Sequence, residues 1–134
     1  MDYLLDTNAL LWLQSNPKML SRKALKLLED PYSELFYSPI SIWEIVMKFS
    51  SGGAQLLEGV TPDDFLDAID ADGYQCLDLL SGSVATSYKL PFYKEHRDPF
   101  DRMLVWEALQ HDLVLVSADQ QFKLYEKEGL RLVS

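Results

Sequence analysis

Four acidic residues occupy comparable places in the sequence, each where an apolar run ends or a helical pattern begins. They are Asp6, Glu44, Asp101 and Asp119. Carboxylates brought close together repel one another, so a site built from four of them needs a bound cation. Mg²⁺ and Mn²⁺ prefer oxygen ligands of this kind. Such an ion lowers the pKa of a water and neutralises charge on a phosphodiester. The four acids therefore indicate a metal centre suited to hydrolytic chemistry.

The elements that would position these acids alternate between strands and helices. Short apolar runs predict strands, and polar N-cap residues before helical spacing predict helices. The predicted strands cover 3–5, 34–37, 74–79, 113–116 and 130–133. In the first half of the chain, one predicted helix starts at Asp6-Thr7, a second covers 22–29, and a third runs from Ser38-Pro39 to Gly52-Gly53. In the second half, predicted helices run from Thr61-Pro62 to near Gly73, over 83–88, over 98–110, and, as a short helix, from Asp119 to Gly129. This alternation predicts an α/β sandwich with a mainly parallel sheet.

The carboxyl edge of such a sheet is where the acids would meet. In open α/β sheets, ligands bind outside the carboxyl ends of the strands, and the helix N-termini collect on the same side. Asp6 and Asp119 follow predicted strands, whereas Glu44 and Asp101 lie in early turns of predicted helices. All four side chains could converge there.

Each acid also has a purely structural explanation, which the sequence leaves open. Asp6 and Asp119 could simply cap the helices that follow them. Glu44 could complete a capping box with Ser41, although that fails if Ser38 is the true cap. With Asp98 as the cap before Pro99, Asp101 would lie in the first turn of the helix, where the helix dipole favours an acidic side chain.

Zinc fits the sequence poorly. Cys76 is the single cysteine, and His96 and His111 lack a ligand-like spacing, so we interpret both as ordinary surface or partly buried residues. A lone cysteine excludes an internal disulfide and suits a reducing cytosol. No apolar run approaches the ~20 residues of a membrane span, and the first residues lack a signal peptide's basic region. We expect a cytoplasmic protein without a membrane partner.

The charge distribution leaves room for a nucleic-acid partner. The net charge of −9 at first argues against one. Between Lys48 and Lys89, however, there is no base but seven of the 21 acids, namely Glu58, Asp63, Asp64, Asp67, Asp70, Asp72 and Asp78. The remaining 14 acids face 12 bases, and four of those acids belong to the predicted metal centre. A phosphate-binding face is therefore compatible with the composition.

Four motifs in order resemble those of PIN-domain nucleases. They are Leu5-Asp6-Thr7-Asn8-Ala9-Leu10-Leu11-Trp12, Ser41-Ile42-Trp43-Glu44-Ile45, Arg97-Asp98-Pro99-Phe100-Asp101-Arg102 and Val116-Ser117-Ala118-Asp119. Their order and spacing are similar to the VapC toxins of bacterial toxin–antitoxin pairs. The resemblance covers nearly the whole chain and implies a single PIN domain over 1–134, a three-layer sandwich with a mainly parallel central sheet and helices on both faces.

The resemblance also implies an activity and partners. It implies Mg²⁺-dependent cleavage of RNA, with Mn²⁺ able to substitute, a homodimer, and inhibition by a cognate antitoxin protein. By position, Asp6 and Asp101 would be the main metal ligands, with Glu44 and Asp119 completing the acidic cluster. Apolar residues such as Trp12 and Trp106 crowd the helices beyond the needs of one small core, which also favours a homodimer.

Residues that flank the four acids have weaker assignments. Thr7, Asn8 and Ser117 could orient ligands or the attacking water, although local turn hydrogen bonds explain them equally well. Arg97, Arg102 and Lys94 could contact RNA phosphates, although solvated surface charge is the commoner explanation. Two rival functions remain: a catalytically silent PIN scaffold that binds a protein, and a small-molecule phosphatase with an Asp nucleophile. The intact acids disfavour the first, and the absence of a second aspartate soon after Asp6-Thr7 disfavours the second.

Overall fold

A five-stranded parallel sheet forms the centre of the computed structural model, which describes residues 1–52 and 59–134. The strands are β1 (Asp2–Leu5), β2 (Glu34–Tyr37), β3 (Gln75–Cys76), β4 (Val114–Val116) and β5 (Arg131–Val133). Their order across the sheet is β3-β2-β1-β4-β5, and every pairing is parallel. In the central strand, Leu4 pairs with Phe36 on one side and Leu115 on the other. The predicted parallel α/β architecture is confirmed.

Helices connect the strands. The α-helices described are α1 (Thr7–Ser15), α2 (Arg22–Glu29), α3 (Pro39–Ser50), α4 (Pro62–Ala71), α5 (Ser81–Thr86) and α6 (Pro99–Gln110). Short 3₁₀ helices cover Pro17–Met19, Ser87–Lys89 and Gln120–Glu128. Most helices start at a polar cap, as when Ser21 accepts a hydrogen bond from the Ala24 N–H. Proline at the first helical position of α3, α4 and α6 helps to fix where these helices begin.

Two hydrophobic cores lie on opposite faces of the sheet, because successive strand residues point to opposite sides. Tyr3 and Leu5 pack with α1, α2, α3 and α4 on one face. Leu4 and Leu115 pack with α6 and the Gln120–Glu128 helix on the other face. The chain is thus a three-layer sandwich, as predicted. The acids that follow β1 and β4 lie where both layers meet at the carboxyl edge of the sheet.

The predicted strand 74–79 is largely wrong, since only Gln75–Cys76 pairs as a strand. This strand lies at the sheet edge and has a single neighbour, so it pairs only with Phe36 and Tyr37 at the end of β2. The predicted helix 83–88 begins two residues earlier, at Ser81, and ends in a 3₁₀ turn. Two residues used in the sequence-based predictions lie outside the described residues. They are Gly53, from the predicted helix end Gly52-Gly53, and Glu58, the first of the seven acids between Lys48 and Lys89.

Trp106 does not supply a surface for a dimer, contrary to the sequence-based argument. It is 9% exposed, belongs to the core beneath α6, and donates a 2.8 Å hydrogen bond from Nε1 to the Ser83 carbonyl. Exposed apolar side chains instead lie along α3, at Trp43, Val46 and Met47.

In residues 1–52 and 59–134, no helix has both the length and the apolar character needed to cross a membrane.

Candidate metal centre

Asp6 lies directly after the central strand and serves two purposes at once. Its Oδ1 accepts a 2.8 Å hydrogen bond from the Ala9 N–H and so caps α1. The side chain is nevertheless buried, with only 6% of the residue exposed. Burial raises the pKa of Asp6 to about 6, and the negative charges of Glu44 and Asp119 contribute to that rise. The capping explanation is therefore correct but incomplete, because a cap alone needs no neighbouring carboxylates.

Glu44 is not part of a capping box. Ser38 caps α3 by accepting from the Ile40 N–H, so Pro39 is the first helical position and Glu44 lies one turn further along. The Thr7 hydroxyl donates a 2.6 Å hydrogen bond to Glu44 Oε1. Lys48 Nζ lies 3.4 Å from Glu44 Oε2. Glu44 therefore has no capping role, and the hydrogen bond from Thr7, the residue after Asp6, holds its carboxylate towards α1.

Asp101 lies in the first turn of α6, but Asp98 is the residue that caps this helix. Asp98 Oδ1 accepts hydrogen bonds from the Phe100 and Asp101 N–H groups, at 2.8 and 3.1 Å. Burial raises the pKa of Asp101 to about 7, and the charges of Asp98, Glu44, Asp6 and Asp119 raise it further. A raised pKa is unusual for a carboxyl group at the start of a helix, since the helix dipole favours its charged form. Burial, together with the charges of the neighbouring acids, outweighs the dipole here.

Asp119 is the exposed member of the cluster. It begins the Gln120–Glu128 helix, with Oδ1 accepting a 2.9 Å hydrogen bond from the Gln121 N–H. Its own N–H donates to Ser117 Oγ at 3.0 Å. The Ser117 side chain also hydrogen-bonds Asp6, which lowers the pKa of that carboxyl. Ser117 thus links the acids that follow β1 and β4.

The four acids converge on one cleft at the carboxyl edge of the sheet. The cleft has a volume of about 100 Å³ and is lined by Asp6, Thr7, Asn8, Glu44, Lys48, Asp101, Asp119 and Phe122. Burial is the largest cause of the raised pKa values of Asp6 and Asp101, and repulsion by the neighbouring acids raises them further. A divalent cation would remove that repulsion, and carboxylate oxygens suit Mg²⁺ and Mn²⁺. The residues present therefore fit a hard divalent ion.

His96 is part of this neighbourhood, and the interpretation of it as a surface or partly buried residue is wrong. Only 2% of the residue is exposed. Its Nδ1 lies 2.7 Å from the Tyr125 hydroxyl, and its Nε2 lies 3.4 Å from Asp101 Oδ2. Burial lowers the pKa of His96, so its neutral form is favoured. The burial of His96 was not predicted from the sequence, because the residue lies in an irregular loop and has no helical or strand periodicity that would indicate a buried position.

The basic residues named from the sequence separate into two kinds. Lys94 and Arg97 are exposed on the loop before α6, where Arg97 Nε donates to the Lys94 carbonyl at 3.1 Å. Arg102 instead turns inwards and donates to the carbonyls of Leu90 and Pro91. Its guanidinium ties the loop to α6. Lys48, which the sequence did not single out, is the lysine that lines the acidic cleft.

The fold and the cleft together define an α/β protein with an acidic centre at the carboxyl edge of a parallel sheet. The model of the PIN domain family matches residues 3–128. The chain belongs to the PIN-domain family, which confirms the resemblance of its four motifs. A search of the curated proteins gives no match.

Solved structures share this fold at low sequence identity. VapBC2 from Rickettsia felis, bound to a DNA fragment from their promoter, has a TM-score of 0.70 and 19% identity, over 99% of this chain and 98% of that one. VapBC-1 from nontypeable Haemophilus influenzae has a TM-score of 0.63 and 20% identity, over 100% and 98%. A toxin–antitoxin complex from Klebsiella pneumoniae has a TM-score of 0.59 and 17% identity, over 98% and 96%. These likenesses extend over essentially the whole chain and concern its fold.

Proposed function

We propose that this chain is a single-domain, divalent-metal-dependent endoribonuclease of the VapC type, and that it acts in the cytoplasm as the toxin of a toxin–antitoxin pair. The observation that carries the proposal is the convergence of Asp6, Glu44, Asp101 and Asp119 on one cleft. Membership of the PIN-domain family supports the nuclease class. The preference for RNA rests on the resemblance of the four motifs to VapC toxins.

Asp6 and Asp101 are the proposed main ligands of Mg²⁺, for which Mn²⁺ can substitute, with Glu44 and Asp119 completing the cluster. When bound, the ion supplies Lewis acidity for the attacking water and charge neutralisation for the phosphodiester. Thr7 contributes by fixing one oxygen of Glu44, so that this carboxylate does not need to be ordered during the reaction. With the ion bound, the charged form of Asp101 would be favoured, because a nearby positive charge lowers the pKa of a carboxyl group.

The substrate backbone would be held beside the cleft by the exposed side chains of Lys94 and Arg97. A water attacks phosphorus in line with the leaving oxygen, and the bond from phosphorus to the 3′ oxygen breaks as that oxygen takes up a proton. The products are a 5′-phosphate and a 3′-hydroxyl. Asn8, an exposed residue in the lining of the cleft, would help to orient that water.

Protein partners are the second part of the proposal. The Klebsiella structure with this fold is a toxin–antitoxin complex, and we expect a cognate antitoxin for this chain. We also expect a homodimer. Trp43, Val46 and Met47 form an exposed apolar stripe on α3, with exposed fractions of 58%, 38% and 48%. Contiguous apolar surface of this kind marks protein contacts. We place the dimer contact on this α3 stripe.

Cleavage of labelled RNA tests the activity. The purified chain with Mg²⁺ should cut RNA endonucleolytically, leaving 3′-hydroxyl ends, and EDTA should stop the reaction. A chromogenic phosphate monoester run in parallel should not be hydrolysed. Hydrolysis of the monoester without RNA cleavage would replace the nuclease by a phosphatase. If neither substrate is cut while the chain binds the product of a neighbouring reading frame, the protein is a silent scaffold.

A further inference from the structure

We propose that His96 is a nitrogen ligand of the metal centre and binds the divalent ion through Nε2, beside Asp101 and Asp119. This inference rests on the proposed metal dependence and adds an imidazole to a site assigned so far to carboxylates alone. The resemblance to PIN-domain nucleases assigns no role to this histidine. The inference arises from the geometry of the loop before α6.

The Nε2 atom is buried and has no hydrogen-bond partner among the described residues. A buried polar atom without a partner is destabilising and calls for an explanation. Its environment supplies one, because ligand atoms of His96, Asp101 and Asp119 all lie within 4.8 Å of one another. The unpartnered nitrogen therefore faces the acidic cluster.

The distance between His96 and Asp101 suits two ligands of one ion better than a hydrogen bond. Nε2 and Oδ2 are 3.4 Å apart, whereas N–H···O hydrogen bonds span about 2.7–3.2 Å. Two donor atoms that each lie roughly 2.1 Å from the same ion, at octahedral or tetrahedral angles, are about 3.0–3.4 Å apart.

The other side of the ring is held in the way that ligating histidines usually are. Such histidines donate their second ring N–H to an oxygen, which fixes the ring and its tautomer. Here Nδ1 lies 2.7 Å from the Tyr125 hydroxyl oxygen. With the proton on Nδ1, this contact leaves the Nε2 lone pair directed at the cluster. Edge contacts with Phe122 and Tyr125, at centroid distances of 5.1 and 5.3 Å, keep the ring in that orientation.

A nitrogen ligand changes which ions the site prefers. Mg²⁺ prefers an all-oxygen environment and retains several waters, so it gains little from an imidazole. Transition-metal ions accept nitrogen ligands more readily. The site should therefore bind Mn²⁺ more tightly than Mg²⁺, and His96 should account for much of that difference.

Pulsed EPR of Mn²⁺ bound to protein labelled with ¹⁵N-histidine tests the assignment directly. The sequence contains two histidines, and His111 is the matched control, because it lies at the C-terminus of α6 with its Nε2 3.4 Å from Glu107 Oε2. His111→Asn leaves His96 as the single labelled residue. The spectrum of this variant should show the strong coupling of a directly bound ¹⁵N nucleus. No substitution at His96 is needed for this result.

His96→Asn provides the complementary variant, since the asparagine amide can keep the contact with Tyr125 but cannot reach the position of Nε2. In this variant the ¹⁵N coupling should vanish. Changes to residues that only support ligands cost about 10- to 100-fold in metal affinity. Loss of a direct ligand should therefore lower Mn²⁺ affinity at least tenfold, with a smaller effect on Mg²⁺.

Three results would overturn the proposal, and they have different consequences. Bound Mn²⁺ without ¹⁵N coupling would leave the carboxylate site and the proposed function intact but remove His96 from it. Only the weak coupling of a distant nitrogen would make His96 a positioning residue for Asp101. If Mn²⁺ does not bind to the parent protein at all, the metal centre itself fails and the proposed function fails with it.

Discussion

Thr7 and Glu44 are joined by a 2.6 Å hydrogen bond that connects the first turn of α1 to α3. Thr7 is buried, with 4% of the residue exposed, and its hydroxyl also lies 3.0 Å from Ser41 Oγ. The bond places the Thr7 side chain, at the turn between β1 and α1, against the Glu44 carboxylate of α3. It ties the position of Glu44 to the same turn that holds Asp6.

Replacing Thr7 by valine keeps the size of the side chain but removes the hydroxyl. Hydrogen bonds to charged groups contribute about 1.5–3 kcal/mol, so Thr7→Val should lower the free energy of unfolding by an amount of that order. It should also weaken Mn²⁺ binding about 10- to 100-fold. Thermal denaturation and isothermal titration with Mn²⁺ measure the two effects.

Thr7→Ser is the control for that variant. It removes a buried methyl group, which costs about 0.8 kcal/mol, but retains the hydroxyl. Its Mn²⁺ affinity should stay close to that of the parent. Equal metal affinity in the valine and serine variants would show that the hydrogen bond has no part in positioning Glu44.

Neutralising one of the clustered acids should separate metal binding from helix capping. Without metal, Asp101→Asn and Asp6→Asn should be at least as stable as the parent, because each removes a source of repulsion. Asparagine also caps α1 about as well as aspartate. The parent should gain about 2.7 kcal/mol at a hundredfold excess of Mn²⁺ over its dissociation constant, and the variants should lose most of this gain. Asp101→Asn should also abolish RNA cleavage.

Asp30→Asn is the matched control for the acid variants. Asp30 lies in the turn before β2, at the opposite edge of the sheet, and its Oδ1 accepts from the Tyr32 N–H, which asparagine can also do. Melts with EDTA and with millimolar Mn²⁺ should show the parent's full response for this variant. An identical metal response in all variants would contradict a shared site for Asp6 and Asp101.

The metal-free protein should lose stability as the pH rises from 6.5 to 8. Asp101, with its pKa raised from 3.8 to about 7, keeps a proton in the folded state that the unfolded chain has already released. Stability must then fall as pH rises through the folded pKa. Asp6, with a pKa of about 6, adds the same trend at lower pH. His96, with its pKa lowered from 6.5, acts in the opposite direction, and its effect fades as the pH rises above that ordinary value.

Melting temperatures in EDTA across this pH range check the prediction, and Asp101→Asn should flatten the profile. Mn²⁺ displaces the retained protons, so the stabilisation that it gives should grow over the same interval. A metal-free protein that becomes more stable from pH 6.5 to 8 would show that the pKa of Asp101 is not raised in the folded state.

A charge on the α3 stripe should disrupt the proposed homodimer. At tens of micromolar, light scattering of the parent should give twice the 15.4 kDa mass of one chain. Met47→Glu should give the monomer mass, because it places a carboxylate within the apolar contact. Met19→Glu is the control, since Met19 is similarly exposed, at 54% against 48%, on a different helix. Dissociation by both variants, or by neither, would place the contact elsewhere.

The sequence was most informative where local chemistry alone decides the structure. Caps at Ser21, Asp98 and Asp119 are short-range hydrogen bonds between neighbours in the chain, and the predicted helix starts followed from them. The apolar run 113–116 likewise predicted a buried strand, because a central strand of a parallel sheet is covered on both faces and is therefore apolar at every position. These features depend little on distant residues.

Features decided by tertiary contacts were not predictable in the same way. β3 is only two residues long, because only Gln75 and Cys76 pair with β2, and a strand-like sequence cannot reveal how many of its residues find a partner strand. The burial of His96 depends on Phe122 and Tyr125, more than 25 residues later in the chain. The contact of Arg102 with the carbonyls of Leu90 and Pro91 equally required the fold.

The capping hydrogen bond of Asp6 has a consequence for how this chain can evolve. An aspartate codon becomes an asparagine codon through one nucleotide change, and asparagine satisfies the Ala9 N–H just as well. If Asp6 binds the proposed ion, such a lineage would lose its hydrolytic chemistry in a single step without losing the helix that follows the central strand. If the predicted relief of repulsion among the acids also holds, natural selection on stability would not oppose that step, and selection on cleavage alone would preserve the aspartate.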